Sequence, residues 1–300
     1  MRQAAVKFIL AGAARAIYER SQFHLVLAGG NTPREIYRRL RAVRTDWSAW
    51  HIYFGDERCL PPADAERNSR MAAETWIDSV PIPPPQVHAI PGELGALNAA
   101  RTYAETLRTV GDFDLVLLGL GEDGHTASLF PRHEWGTAPG SPDTLAVFDA
   151  PKLPPQRVSL SAARLNRARQ VIFLVSGRSK HKAVAAWRAG QDIPARAIAP
   201  LAGVDLLAES ALPGAEQRRR TAGGGIRCAR PAHARKLSTG VDARGADQHR
   251  STAVSFRGTG QTRRRAGRAA RRCDANSMKR DIDKHLPHPA RGRSLRQVTA

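Results

Sequence analysis

Cysteine is scarce in this sequence. Cys59, Cys228 and Cys273 are the only three in 300 residues, an odd number with no CxxC spacing. That excludes a disulfide framework and a cysteine zinc site, and a reducing, cytoplasmic setting is expected. Long apolar runs are missing too. The longest, 115–118 and 171–175, fall far short of the roughly 18 residues needed to cross a bilayer, and residues 1–20 have no secretory apolar core. No membrane partner is therefore expected. Aromatic residues make up 6% of the chain and do not interleave with its basic residues, as a base-stacking surface would require. Acidic residues are outnumbered, 27 against 47 Lys+Arg, for a net charge of +20.

That excess is unevenly placed. Residues 1–212 carry 25 basic and 21 acidic side chains, whereas 213–300 carry 22 and 6, so the two parts stand at +4 and +16. The 42% hydrophobic content is enough for a buried core, and it is concentrated before residue 212. Beyond it, segments such as Arg218-Arg219-Arg220, Gly223-Gly224-Gly225 and Arg263-Arg264-Arg265 have no apolar face to pack, so a basic, disordered tail is expected over 213–300.

Within 1–212 the pattern alternates. Val6, Ile9, Leu10, Ala13 and Ile17 lie at helical spacing. A compact apolar run at 23–28 predicts a buried strand, and Pro33 opens a helix running to about Val43. A strand at 51–54 leads into a charged loop at 55–58. Helices follow at 66–76 and 96–110, then strands at 113–118, 144–148, 157–160 and 170–175, then a helix ended by Gly190. Strands alternating with helices predict an α/β fold: a mostly parallel, Rossmann-like sheet with helices on both faces.

Four strand ends carry chemistry. Gly29-Gly30-Asn31-Thr32-Pro33 joins a strand to a helix start, where free amides and the helix dipole favour an anion; alone, it is equally a tight turn capped by Asn31 or Thr32. Asp56 and Arg58, two residues apart, can point together into a cleft, the guanidinium toward phosphate or a carbonyl; a surface ion pair is the plain alternative. Asn68 is a neutral donor and acceptor or a helix cap. Gly119-Leu120-Gly121-Glu122-Asp123-Gly124 fits GxGxxG, but Pro131 comes too soon for the long helix that a dinucleotide site opens. His125 follows it, with Asp123 placed to orient a neutral imidazole as general base. Ser128 has no GxSxG elbow, which argues against a serine hydrolase. Gly177-Arg178-Ser179-Lys180 offers an ammonium at a further helix start, and Arg157 is a weaker candidate at a strand start.

In this order, the stretches 27–33, 55–58, 119–131 and 177–180 resemble the 6-phosphogluconolactonases, whose fold is similar to that of the glucosamine-6-phosphate deaminases. The likeness covers residues 1–212, a catalytic domain followed by the 213–300 tail. It implies hydrolysis of a 6-phosphosugar lactone in the oxidative pentose phosphate pathway, with no metal or organic cofactor. Carried over to this chain, Gly30, Asn31, Thr32, Asp56, Arg58, Asn68, Gly124 and Lys180 bind substrate and its phosphate, while His125, Asp123 and Arg58 are catalytic. The family usually has Ser where Asn31 stands, and a strand and turn before the first helix that this sequence lacks, leaving a sheet edge to be covered. The Arg/Ala/Gly bias of 213–300 resembles out-of-frame translation of a GC-rich gene, with a genuine basic arm as the competing account. An amino-sugar-phosphate deaminase is disfavoured because Ser128-Leu129-Phe130-Pro131 stands where those enzymes carry Asn-Glu-Pro. A nucleic-acid partner is expected only nonspecifically, through the tail. No oligomeric state follows from the sequence.

Overall fold

The structure is a computed structural model that describes residues 1–209 and the strand 252–256. Apolar spacing sets its elements. Helix α1 (Arg2–Arg20) buries Ala5, Val6, Ile9, Gly12, Ala13 and Ala16, three or four residues apart, and packs on β1 (Phe23–Leu27) and α2 (Asn31–Leu40). Next come β2 (Trp50–Phe54), β3 (Asp56–Arg58), α3 (Asn68–Thr75), β4 (Val87–His88), α4 (Ala96–Leu107) and β5 (Leu115–Gly119). The chain continues through β6 (Thr144–Val147), β7 (Arg157–Leu160), α5 (Ala162–Asn166), β8 (Val171–Val175), α6 (His181–Arg188), α7 (Pro194–Ala197) and β9 (Val204–Ala208), with β10 at Thr252–Phe256.

The main sheet has the order β10-β9-β8-β5-β1-β2-β4, parallel throughout except for β10 on β9. Its central strands are buried at consecutive residues, because both faces are covered and alternation is lost. The chain winds outward from β1 through β2 to β4, then returns to β5 on the other side of β1. That reversal opens a crevice at the carboxyl ends of β1 and β5.

The predicted α/β architecture is present, with differences that have physical causes. Residues 56–58, expected as a charged loop, form β3 of a second, three-stranded antiparallel sheet ordered β3-β7-β6. Charge hid this strand, since Glu57 is buried by partners that sequence periodicity cannot register. The strands expected at 144–148 and 157–160 form, but in this small sheet rather than the parallel one. Helix α2 stops at Leu40, three residues early. Strand β9 was not predicted, nor was the two-residue β4, which is too short to show a period.

Every described residue belongs to one compact unit. The boundary expected at 212 lies outside the described residues. The expectation of a disordered tail lies outside the described residues, apart from β10, which pairs antiparallel with β9 in the register Thr252↔Ala208 to Phe256↔Val204. Part of the expected tail is thus a sheet strand. Among the described residues, no helix is long and apolar enough to cross a membrane.

Candidate active site

A cleft of about 490 Å3 opens where the strand order reverses, and the carboxyl ends of β1, β2, β5 and β8 form its floor. All four sequence motifs reach it. At the end of β1, Gly30 takes φ +98° and starts α2 with no side-chain cap, so the amides of Asn31 and Thr32 remain available at the cleft. Tyr37 of α2 reaches back to this strand end: its hydroxyl accepts from Ala28 N and donates to Ala28 O, both at 2.9 Å. Tyr103 treats Phe54 at the end of β2 in the same way, at 3.0 and 3.3 Å. Two buried phenols therefore fix the strand ends just before the cleft. Burial pushes both hydroxyls above the ordinary tyrosine range, so they stay protonated as donors.

Asn68, at the start of α3, lies directly beneath the turn. A Cβ on Gly29 would come within 2.0 Å of Asn68 Oδ1, so only glycine permits this approach. The Asn68 amide donates to Asp56 O at 2.9 Å and to Asp56 Oδ1 at 3.1 Å. Asp56 Oδ2 in turn accepts from Ser128 Oγ at 2.6 Å. Asp56 and Asn68 border the cleft, yet these polar atoms are engaged with one another and with Ser128. Ser128 itself is 1% exposed. It cannot meet a substrate as a nucleophile, in keeping with the missing elbow. Glu57, which carries no sequence signal for a role, accepts from Asn68 N at 2.7 Å and Ser69 N at 2.8 Å, capping α3 against β3.

Arg58 lines the cleft and donates to Glu66 O. Directly across the strand pair stands Arg157, its register partner in β7. Arg157 is 6% exposed and gives its Nη2 protons to Lys152 O and Leu153 O and its Nε to Pro154 O, holding the loop that brings Lys152 and Leu153 to the cleft. Burial, with Arg58 nearby, lowers its affinity for its proton, while Asp56 opposes this. Two guanidinium groups side by side invite an anion.

His125 occupies the far wall. Its Nδ1 donates to Asp123 Oδ1 at 2.5 Å, which fixes the tautomer and leaves the Nε2 lone pair for the cleft. Phe130 packs on the ring at 4.9 Å between centroids. Burial holds the imidazole below its ordinary 6.5, and the Asp123 carboxylate only partly offsets this. For Asp123 the balance reverses: burial pushes its carboxyl up, but the attraction and hydrogen bonds of His125 outweigh it, and the net shift is downward. Gly121 lets the ring lie close, since a Cβ there would be 2.0 Å from His125 Nδ1. Gly124 supports the turn through its carbonyl, which accepts from Ala195 N.

Lys180 projects into the cleft, its Nζ 3.9 Å from Glu122 Oε1. Thr32 Oγ1 and Ser176 Oγ lie 2.5 Å apart, tying the 30–32 turn to the end of β8. Ser176 and Lys152 carried no sequence signal, and Arg157 only a faint one at its strand start. Among the described residues, no group of three or more His, Cys, Asp or Glu side chains is arranged to hold a metal ion.

Comparison with known proteins matches residues 1–207 to the family described as glucosamine-6-phosphate isomerases/6-phosphogluconolactonase. The chain belongs to this family. Among its relatives, a 6-phosphogluconolactonase of Synechocystis is 38% identical over 199 residues, covering 62% of this chain and 81% of the relative. One of Mycobacterium tuberculosis is 38% identical over 203 residues, covering 63% and 82%. The crystal structure of a Thermotoga maritima 6-phosphogluconolactonase superposes with a TM-score of 0.62 at 27% identity, over 66% of this chain and 90% of that one. A monomeric glucosamine-6-phosphate deaminase shares the fold at 22% identity and a TM-score of 0.58. The family assignment covers the residues that build the cleft and stops before β10.

Proposed function

We propose that this protein hydrolyses 6-phospho-D-glucono-1,5-lactone to 6-phospho-D-gluconate. The reading rests on one juxtaposition above all: a half-buried imidazole with Nδ1 tied to a carboxylate and Nε2 free, in a cleft that also holds an uncapped helix start, Arg58 and Lys180. The names of the relatives point the same way.

In this mechanism the substrate phosphate sits on the amides of the 30–32 turn, between Arg58 and Lys180, with Arg157 adding positive charge from the neighbouring strand. His125 Nε2 takes a proton from water as its oxygen bonds to the lactone carbonyl carbon. Arg58 and cleft amides stabilise the resulting oxyanion. Collapse of the tetrahedral intermediate breaks the bond to the ring oxygen, which leaves with the proton returned by His125, and the product is an open-chain carboxylic acid with a free hydroxyl. Asp123 holds the ring and supports the imidazolium between the two transfers. A cytoplasmic setting belongs to this reading on the strength of the odd cysteine count.

Acid release from the phosphorylated lactone, followed at slightly acid pH where spontaneous opening is slow, tests the proposal. Catalysed release by the wild type is expected. No release above background would remove the lactonase reading.

A further inference from the structure

We infer that Asn68, Asp56 and Ser128 form a buried strut that holds the phosphate turn in register with the His125 loop, so that Asp56 and Asn68 are positioning residues rather than substrate contacts. The inference takes the roles of the turn and of His125 from the function proposed above. Its geometry is independent of them.

The strut begins under Gly29, where the Asn68 carboxamide occupies the volume that a Cβ would need. Asn68 Nδ2 then donates to both the carbonyl and the carboxylate of Asp56, and Asp56 Oδ2 accepts from Ser128 Oγ. All three residues are buried. The far end is held twice: Ser128 N donates at 3.2 Å to Ser159 Oγ, and Ser159 is the register partner of Asp56 across β3 and β7. Ser128 lies three residues after His125, inside the tight turn closed by Leu129 N on Thr126 O. The near end is anchored by Glu57, whose carboxylate holds the first amides of α3 and so sets where Asn68 begins. Substrate binding energy gathered at the phosphate becomes useful only if the lactone carbon then lies at a fixed distance from Nε2. A polar chain with its donors and acceptors matched can hold that distance, because breaking one link strands a buried carboxylate.

The test compares Ser128→Ala, Asn68→Ala and the double variant in kcat, KM, inorganic phosphate affinity and the NMR titration of the His125 imidazole. Ser128→Ala should lower kcat by at least about tenfold, as misplacement of a reacting group does, while phosphate affinity stays within about twofold. Its His125 midpoint should rise toward 6.5 as the loop loosens and the ring hydrates. The double variant should be little worse than the worse single one, since a strut is cut only once. If Asn68→Ala does not fold, Asp56→Asn takes its place. Additive losses, a change confined to KM, or an unmoved His125 midpoint would overturn the strut. Titration and phosphate binding need no turnover, so a wild type inert toward the lactone would sink the functional reading while these measurements still decide the strut.

Discussion

His125 is subject to two opposed effects, and their balance can be measured. Burial lowers its proton affinity and Asp123 raises it, so the group that must be neutral to act as base titrates below 6.5. The acid limb of kcat/KM should therefore have its midpoint below 6.5. Asp123→Asn removes the raising partner, so it should move that limb to still lower pH while reducing kcat through loss of the fixed tautomer. A limb that moves upward would contradict the assignment. His125→Ala should cost at least about a hundredfold in kcat with the fold intact, as checked by circular dichroism. Gly29→Ala should destabilise the protein, because its Cβ would meet Asn68 Oδ1 at 2.0 Å, and removing the Asn68 carboxamide should relieve much of that cost. The pairing of Asp123 with His125 was legible because two residues of spacing confine it to one turn. Ser176, Lys152 and the internal engagement of Asp56 were not, because each depends on a strand or loop distant in sequence.

Among the elements, the proposed anion site is assembled from the start of α2, the strand pair β3–β7 and the turn before α6. Lys180→Ala removes a charge-assisted contact of about 1.5–3 kcal/mol to the substrate phosphate of the proposed function, so KM should rise by at least about tenfold with kcat changing less, whereas Arg58→Ala also takes a donor from the oxyanion and should lower kcat as well. Steady-state kinetics with the phosphorylated lactone checks this. The sequence revealed the strands that end in motifs, because glycine turns follow apolar runs there. It concealed β3, whose side chains are charged, and β10, which lies in a segment of strongly basic composition. Strand β10 covers the open edge of β9, and β9 does not line the cleft. Removal of residues 213–300 should therefore leave kcat within about twofold, lower the melting temperature and promote self-association through the bared edge. Loss of activity in a folded, monomeric truncation would contradict this placement.

Across the whole molecule, acid sensitivity lies away from the cleft, which His24, His51 and His88 do not line. His24 and His51, near the amino ends of β1 and β2, stack with centroids 4.9 Å apart, and His88, the last residue of β4, stacks on His51 at 5.9 Å. Burial depresses all three; His24 falls to about 4, with His51, His88 and Arg164 adding to the depression and Asp114 opposing it. A folded-state value below the unfolded 6.5 means full stability above 6.5, lost as pH falls toward 4. The melting temperature should be flat above neutrality and decline through that window, and His51→Gln should flatten the decline; constancy down to pH 4.5 would refute the linkage. The proposed function requires that the cleft recognise a phosphate at one end and open a lactone at the other. Its most direct test is the ratio of kcat/KM for 6-phosphoglucono-1,5-lactone to that for unphosphorylated glucono-1,5-lactone. Two charge-assisted contacts predict a ratio of at least about a hundredfold, collapsing in Arg58→Ala and Lys180→Ala. Equal hydrolysis of the two lactones would contradict it.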